Sequence, residues 1–325
     1  MNKITLLYPI KFQPILKEKV WGGGKLKSLL YKEASGNIGE SWEISGVEGN
    51  VSQISNGQFK GRSLNWLIEN YKQAVVGEKV YKKFGNKFPL LFKFIDAHED
   101  LSVQLHPDDK LARERHNSFG KTEMWYILNV EEHGRLIMGF NRDMDEAKYL
   151  KFLTEKKLPE VLNSEFVKKG DAFNIPPGTV HAIGAGVMLA EIQQTSDITY
   201  RIYDWDRPDI NGQMRELHND LALKAVDYSK TDVKLNYTES LNKPSHVNTT
   251  KFFEVNKLVL THDFVRNLES IDSFTVYMCV EGEVVIESPD FSETVKMGET
   301  VLIPAEIAEI KFITNSVTLL EVYIP

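Results

Sequence analysis

Disulfide chemistry is excluded by count, because the 325 residues include one cysteine, Cys279. No intrachain bridge can form, and a reducing compartment, the cytoplasm, is expected. Long apolar runs are also missing. The opening residues 1–11 hold only a short apolar stretch broken by Pro9 and Lys11, too brief for a signal peptide or a spanning helix, and they read as a first strand. Positive charge is not in excess either: 39 basic against 46 acidic residues give a net charge of −7. That balance argues against nucleic acid or an anionic membrane as the main partner, so an anionic small molecule would need a local basic pocket. The run Gly22-Gly23-Gly24 lacks the spacing and the lysine of a phosphate loop, so it reads as a tight turn or a close backbone approach.

What the chain does have is apolar residues, 42 % of the total, enough for a large core divided into two units. Residues 230–250 are poor in large apolar side chains and contain Pro244. They read as a linker that separates a unit 1–240 from a unit 241–325. Short strand-like stretches bounded by Pro and Gly turns dominate, which favours a mainly β fold. Helices are expected at 64–71, capped by Ser63; after Pro107, with Asp108 and Asp109 at the positive end; at 144–157, as a surface helix shielding the sheet; and at 216–226.

An internal repeat gives the architecture. Met297-Gly298-Glu299-Thr300-Val301-Leu302-Ile303-Pro304 repeats the spacing of Lys169-Gly170-Asp171-Ala172-Phe173-Asn174-Ile175-Pro176, and the stretch from Tyr277 echoes the one from Trp125. The position eleven after the glycine is His181 in the first copy and Glu309 in the second, and Ser273-Phe274-Thr275 offers no counterpart to Glu123. Two jelly-roll β-barrel units with inserted helices follow, of which only the first kept a metal.

The candidate chemistry lies between Leu101 and Arg201. Gln104 and His106 are two apart in a Val-rich strand and project to one face. Glu123 opens a second strand reading, Glu-Met-Trp-Tyr-Ile-Leu-Asn-Val, and His181 follows a strand and a Pro-Gly turn. Two imidazoles, a carboxylate and an amide oxygen form a mixed N/O set that suits Zn²⁺, and an amide ligand with an open position points to catalytic use. Lys93 interrupts an almost wholly apolar run, so it either snorkels to water or faces an anion.

The pattern Gly-Asp-x-x-x-x-Pro-x-Gly-x-x-His at 170–181 resembles the second metal motif of the cupin superfamily. The wider series resembles the type I mannose-6-phosphate isomerases in their short bacterial form. It runs from Phe88-Pro89-Leu90-Leu91-Phe92-Lys93 through Leu101-Ser102-Val103-Gln104-Leu105-His106-Pro107 and Lys121-x-Glu123 to Gln194-Thr195-Ser196-Asp197 and Arg201. The resemblance implies interconversion of mannose 6-phosphate and fructose 6-phosphate through an enediolate, with one zinc ion, or another divalent metal, per chain and a monomer or weak homo-oligomer. It places Arg201 at the catalytic arginine and Ser102 at a substrate-contacting serine. Lys121, two residues from Glu123, would share a strand face with it and touch sugar oxygen or phosphate. Glu191, Asp197, His98 and Lys93 are candidates for substrate contact or proton transfer, which requires hydrogen-bond reach of the substrate carbon. Two other readings stand beside this one: a cupin isomerase or epimerase of another sugar phosphate, and a non-catalytic sugar-binding double cupin.

Overall fold

The structure is a computed structural model that describes residues 7–33, 35–229 and 232–325. Three antiparallel sheets carry the chain. A seven-stranded sheet has the order Lys234–Leu235, Ala172–Ile175, Glu123–Val130, Val187–Gln194, Leu90–Asp96, Ile38–Ile44, Ile15–Gly23. Facing it is a five-stranded sheet, in the order Tyr200–Tyr203, Val103–Leu105, His181–Ile183, Arg135–Phe140, Leu162–Phe166. These two sheets make the first cupin barrel, and buried side chains of both, among them Trp125, Phe173, Leu136 and Ile183, interlock between them. The C-terminal unit is a nine-stranded sheet wrapped around a second apolar core that includes Tyr277, Val284, Ile310 and Phe312.

Of the expected first strand, residues 1–6 lie outside the described residues. Ile10–Lys11, which a division at residue 240 counts with the first unit, pairs with the strand Thr300–Ile303 of the second. One core joins the two units, with Ile10, Phe88 and Phe92 packed among Phe253, Phe274 and Leu320. The expected linker is partly strand: Lys234–Leu235 pairs with Ala172–Ile175, and Ser245–Thr249 pairs with Glu254–Leu260. Open sheet edges supply backbone partners that composition alone does not reveal. Among the described residues, no helix is long and apolar enough to cross a membrane.

The helices arise where capping and periodicity place them. Ser63 Oγ accepts from the Trp66 amide at the start of Leu64–Tyr71, Asp108 from Leu111 ahead of Asp109–His116, and Asp145 from Lys148 ahead of Glu146–Thr154. The last of these helices buries Tyr149 against the outer face of the five-stranded sheet. The helix expected at 216–226 is confined to Asn219–Ala222. The residues before it are held by the strand Tyr200–Tyr203, through His218 N–H to Arg201 O at 2.7 Å and Arg201 N–H to His218 Nδ1 at 3.1 Å, so the backbone there completes a sheet edge rather than a first helical turn.

The repeat is visible in register. Gly170 and Gly298 both turn at positive φ, +90° and +86°, a conformation that glycine adopts without a Cβ clash. Glu123 pairs with Ile175 in the first unit, and Thr275 pairs with Ile303 in the second, so Thr275 occupies the place of Glu123. His181 opens the strand His181–Ile183, and the exposed Glu309 opens Glu309–Ile313. A buried polar row persists in both units. Trp125, Glu191 and Lys93 lie side by side across three strands of the first, as Tyr277, Glu321 and Asn256 do in the second. In the second unit Arg266 closes on Glu321 at 2.8 Å, and Tyr277 Oη donates to the same carboxylate.

This arrangement predicts unequal effects for two substitutions in the C-terminal unit. Arg266→Ala leaves the Glu321 carboxylate buried without its cation and should cost about 3–5 kcal/mol in chemical denaturation. Glu309→Gln, at an exposed strand end, should change stability by less than about 0.5 kcal/mol and leave metal content untouched.

Candidate metal centre

Residues from both sheets of the first barrel meet at one point. On the five-stranded sheet, Gln104 is flanked in register by Arg201 on one side and His181 on the other. Three non-neighbouring segments thereby set an amide, a guanidinium and an imidazole in one row on one face. Glu123 faces that row from the seven-stranded sheet, and His106 follows directly after the strand Val103–Leu105. His106, Glu123 and His181 are buried, and their ligating atoms all lie within 4.8 Å of one another.

The distances fit a shared ion. His181 Nε2 is 3.3 Å from Glu123 Oε1, and His106 Nε2 is 3.5 Å from Glu123 Oε2. Ligand atoms about 2.1 Å from a tetrahedral zinc ion are about 3.4 Å apart. Each imidazole is anchored on its far side, His106 Nδ1 to Ile198 O at 2.8 Å and His181 Nδ1 to Thr179 O at 2.9 Å. A carbonyl can only accept, so each Nδ1 carries the proton and each Nε2 lone pair points inward, the usual outer-shell arrangement of a metal-ligating histidine. His106 Nε2 and both Glu123 oxygens are buried without a hydrogen-bond partner. Buried polar atoms rarely go unpaired, and this donor set fits a divalent cation between them. Gln104 reaches the same spot, with its amide 3.5 Å from His181 Nε2, and turning the amide presents its oxygen there.

The electrostatics agree. Burial would raise the Glu123 carboxyl, but Lys121 and the two histidines hold it well below the usual carboxylate range. Burial, reinforced by Lys121, pushes the His106 imidazole down to about 3, and burial lowers His181 as well. A neutral imidazole pair around a carboxylate is the protonation state that a divalent ion requires.

A cleft of about 450 Å³ opens beside these ligands. The other expected residues line it. Ser102 Oγ accepts from Arg201 Nε at 3.3 Å, and Arg201 Nη1 donates to Glu216 O at 2.9 Å. Burial and the neighbouring Arg215 draw the Arg201 guanidinium down from its ordinary value. Lys121 Nζ is 3.4 Å from Glu123 Oε2, although Lys121 precedes the strand rather than extending it. Lys93 faces the cleft and not bulk water. Its Nζ is 2.6 Å from Glu191 Oε2, while Trp125 Nε1 donates to Glu191 Oε1 at 3.0 Å. Burial works against the Lys93 charge, and Glu191 and Glu40 more than restore it. Asp197 is exposed at the mouth. His98 is not among the lining residues; its amide donates to Trp21 O at 3.0 Å. A larger cavity of about 1170 Å³ lies against the C-terminal sheet and holds none of the ligating residues.

Several lining residues were not singled out from the sequence: Lys17, Lys19, Asn50, Thr199 and Arg215. Lys17 and Lys19 alternate along the strand Ile15–Gly23, and that period of two is a signal that could have found them. Arg215 sits in a loop and is placed by Asp204, which it meets with Nε at 2.6 Å from Oδ2. No local pattern announces that contact.

The shifts at Glu123 and His106 have the same consequence for stability. Both groups bind protons more weakly folded than unfolded, so the unfolded chain takes up more protons as pH falls. Their contribution is present above pH ~6.5 for His106 and above ~4.5 for Glu123, and is lost as pH falls through the folded-state values. Metal-free protein should therefore lose stability steadily from about pH 6.5 downwards. His106→Gln should flatten the upper part of that profile in denaturant titrations run at stepped pH.

A family profile for the catalytic domain of type I phosphomannose isomerase matches residues 10–129. The chain is 34 % identical over 308 residues to the mannose-6-phosphate isomerase ManA of Bacillus subtilis, covering 93 % of this chain and 95 % of that one. It is 37 % identical over 223 residues to a mannose-6-phosphate isomerase of Streptococcus mutans, covering 68 % and 69 %. The crystal structure of the mannose 6-phosphate isomerase from Bacillus subtilis superposes with a TM-score of 0.89 at 30 % identity, covering 97 % of this chain and 99 % of that one. With the same barrel, nearly the whole length and a third of the residues in common, this chain belongs to the type I phosphomannose isomerase family.

Proposed function

We propose that the chain is a zinc-dependent mannose-6-phosphate isomerase that moves a proton between C1 and C2 of an open-chain sugar phosphate, giving fructose 6-phosphate from mannose 6-phosphate. The carrying observation is the buried Glu123 carboxylate, without a hydrogen-bond partner, between two inward-pointing imidazole lone pairs and beside a cleft lined by cations. His106, Glu123, His181 and the Gln104 amide would hold one zinc ion. Bound there, the ion would supply Lewis-acid polarisation of substrate oxygen, worth several kcal/mol of transition-state stabilisation.

The chain's own residues divide the remaining work. Arg201 adjoins Gln104 in register and keeps its fork on the cleft side through Ser102 and the Glu216 carbonyl, so it donates to the oxyanion that grows at the enediolate. Ser102 orients that fork and offers its hydroxyl to the sugar. Lys121 keeps positive charge next to the ligating carboxylate and within reach of sugar oxygens. The Lys93–Glu191 pair forms the opposite wall with Trp125, whose ring meets His181 edge-on at 5.3 Å, and Asp197 guards the mouth. Cys279 is buried, and burial pushes its thiol up to about 12. An inert lone thiol supports a reducing compartment, and the cytoplasm is the proposed location. An intact ligand set in the first unit weighs against a non-catalytic sugar-binding role.

A coupled assay offering mannose, glucose and ribose phosphates tests the assignment, with turnover expected for mannose 6-phosphate. Chelator should abolish that turnover and zinc restore it, and full activity in protein that elemental analysis finds metal-free would exclude the metal role. His181→Ala should lose both metal and activity. Arg201→Ala should stay folded and metal-loaded while kcat falls about 10²–10³-fold. A loss confined to the transition state lowers kcat and kcat/KM together, whereas an anchor mainly raises KM. Arg201→Lys should recover little, since a point charge replaces the planar fork.

A further inference from the structure

Six cationic side chains line the cleft: Lys17, Lys19, Lys93, Lys121, Arg201 and Arg215. Four of them have carboxylate partners. Lys19 meets Glu40 at 3.3 Å, Lys93 meets Glu191, Lys121 meets Glu123, and Arg215 meets Asp204. The two that remain are Arg201, in the row with Gln104 and His181, and Lys17. Lys17 lies opposite Glu40 in strand register, but the Glu40 carboxylate is already used, with Oε1 on Lys19 and Oε2 accepting from Trp42 Nε1 at 2.6 Å. Lys17 Nζ instead donates to the neutral Asn50 amide oxygen and rests 4.9 Å from the centre of the Trp42 ring. Among the described residues, no carboxylate reaches it.

Its position complements its charge. From the ligands, contacts run His181 to Trp125, Trp125 to Glu191, Glu191 to Lys93 and Lys93 to the Trp42 ring, against which Lys17 also sits. The strand of Lys17 is the outermost of the seven-stranded sheet, four places from that of Glu123. An uncompensated ammonium, held by an aromatic ring and a neutral amide at the far end of the cleft, is matched to a dianion remote from the reacting carbons. A hexose 6-phosphate carries its phosphate at the opposite end of the molecule from C1 and C2.

We propose that Lys17, positioned by Asn50 and Trp42, anchors the phosphate of the substrate and sets the preference for phosphorylated over free sugar. The proposal rests on the sugar-phosphate reading above. Lys17→Gln should lower kcat/KM for mannose 6-phosphate about tenfold or more, with the change carried by KM. The inhibition constant of inorganic phosphate should rise in parallel, and the preference for mannose 6-phosphate over mannose should narrow by the same factor. Lys17→Arg should retain most of the affinity. Unchanged thermal unfolding and zinc content in Lys17→Gln would show that the loss is local. The anchor is overturned if Lys17→Gln keeps the parent KM and phosphate inhibition constant, or if only kcat falls. Calorimetric titration of inorganic phosphate into each protein separates the two proposals. Phosphate binding that depends on Lys17 in a parent protein without isomerase activity would sink the functional reading alone. Isomerase activity with phosphate affinity indifferent to Lys17 would sink the anchor alone.

Discussion

The Glu123 carboxylate is wholly buried between two imidazoles that burial holds neutral, and the first barrel is arranged around that charge. A lone buried carboxylate costs several kcal/mol. Lys121 offsets part of this from one side. The carbonyls of Ile198 and Thr179 fix the histidine tautomers so that lone pairs, not protons, face the carboxylate. Buried oxygens and lone pairs that face one another in this way fit a divalent cation. The three donors gathered there come from both facing sheets and from the segment that follows Val103–Leu105. An ion bound there would join the two sheets where these buried polar groups meet.

The cleft extends the same logic outward. Its cations are matched one to one with carboxylates where they line the walls, which keeps the Lys93–Glu191 and Arg215–Asp204 pairs as scaffolding instead of free charge. Charge left over appears at two separated places, Arg201 and Lys17. A sugar phosphate develops negative charge at its reacting oxygens and carries it permanently on the phosphate, so two uncompensated cations at opposite ends both attract the substrate and orient it.

The C-terminal barrel shows how much of this survives without a metal. Its strands keep the register, the glycine turn and the row Tyr277, Glu321, Asn256 that parallels Trp125, Glu191, Lys93. Thr275 stands where the ligating carboxylate would be, and Glu309 points to solvent where the imidazole would be. Apolar side chains such as Val284, Ile310 and Phe312 fill the interior. Arg266 neutralises Glu321, so the buried charge in this unit is balanced within the chain.

The sequence by itself determined the local and periodic features: the period-two strands, the caps at Ser63 and Asp108, the Gly-to-Pro spacing of the repeat, and the loss of His and Glu from the second copy. Each depends on residues close together in the chain or on a pattern that repeats. It also pointed to His106, Glu123 and His181, which the fold brings within 4.8 Å of one another, because the spacing around His181 matches a motif and His106 and Glu123 lie in readable strand segments. Tertiary structure alone decided the rest. The place of Arg201 beside Gln104, the pairing of Lys93 with Glu191 and the isolation of Lys17 all depend on strand order. So did the fate of residues 216–218, where a sheet edge took the backbone bonds that a helix would have used. Strand order is set by long-range packing, which brings residues about a hundred positions apart into register and which no local pattern encodes.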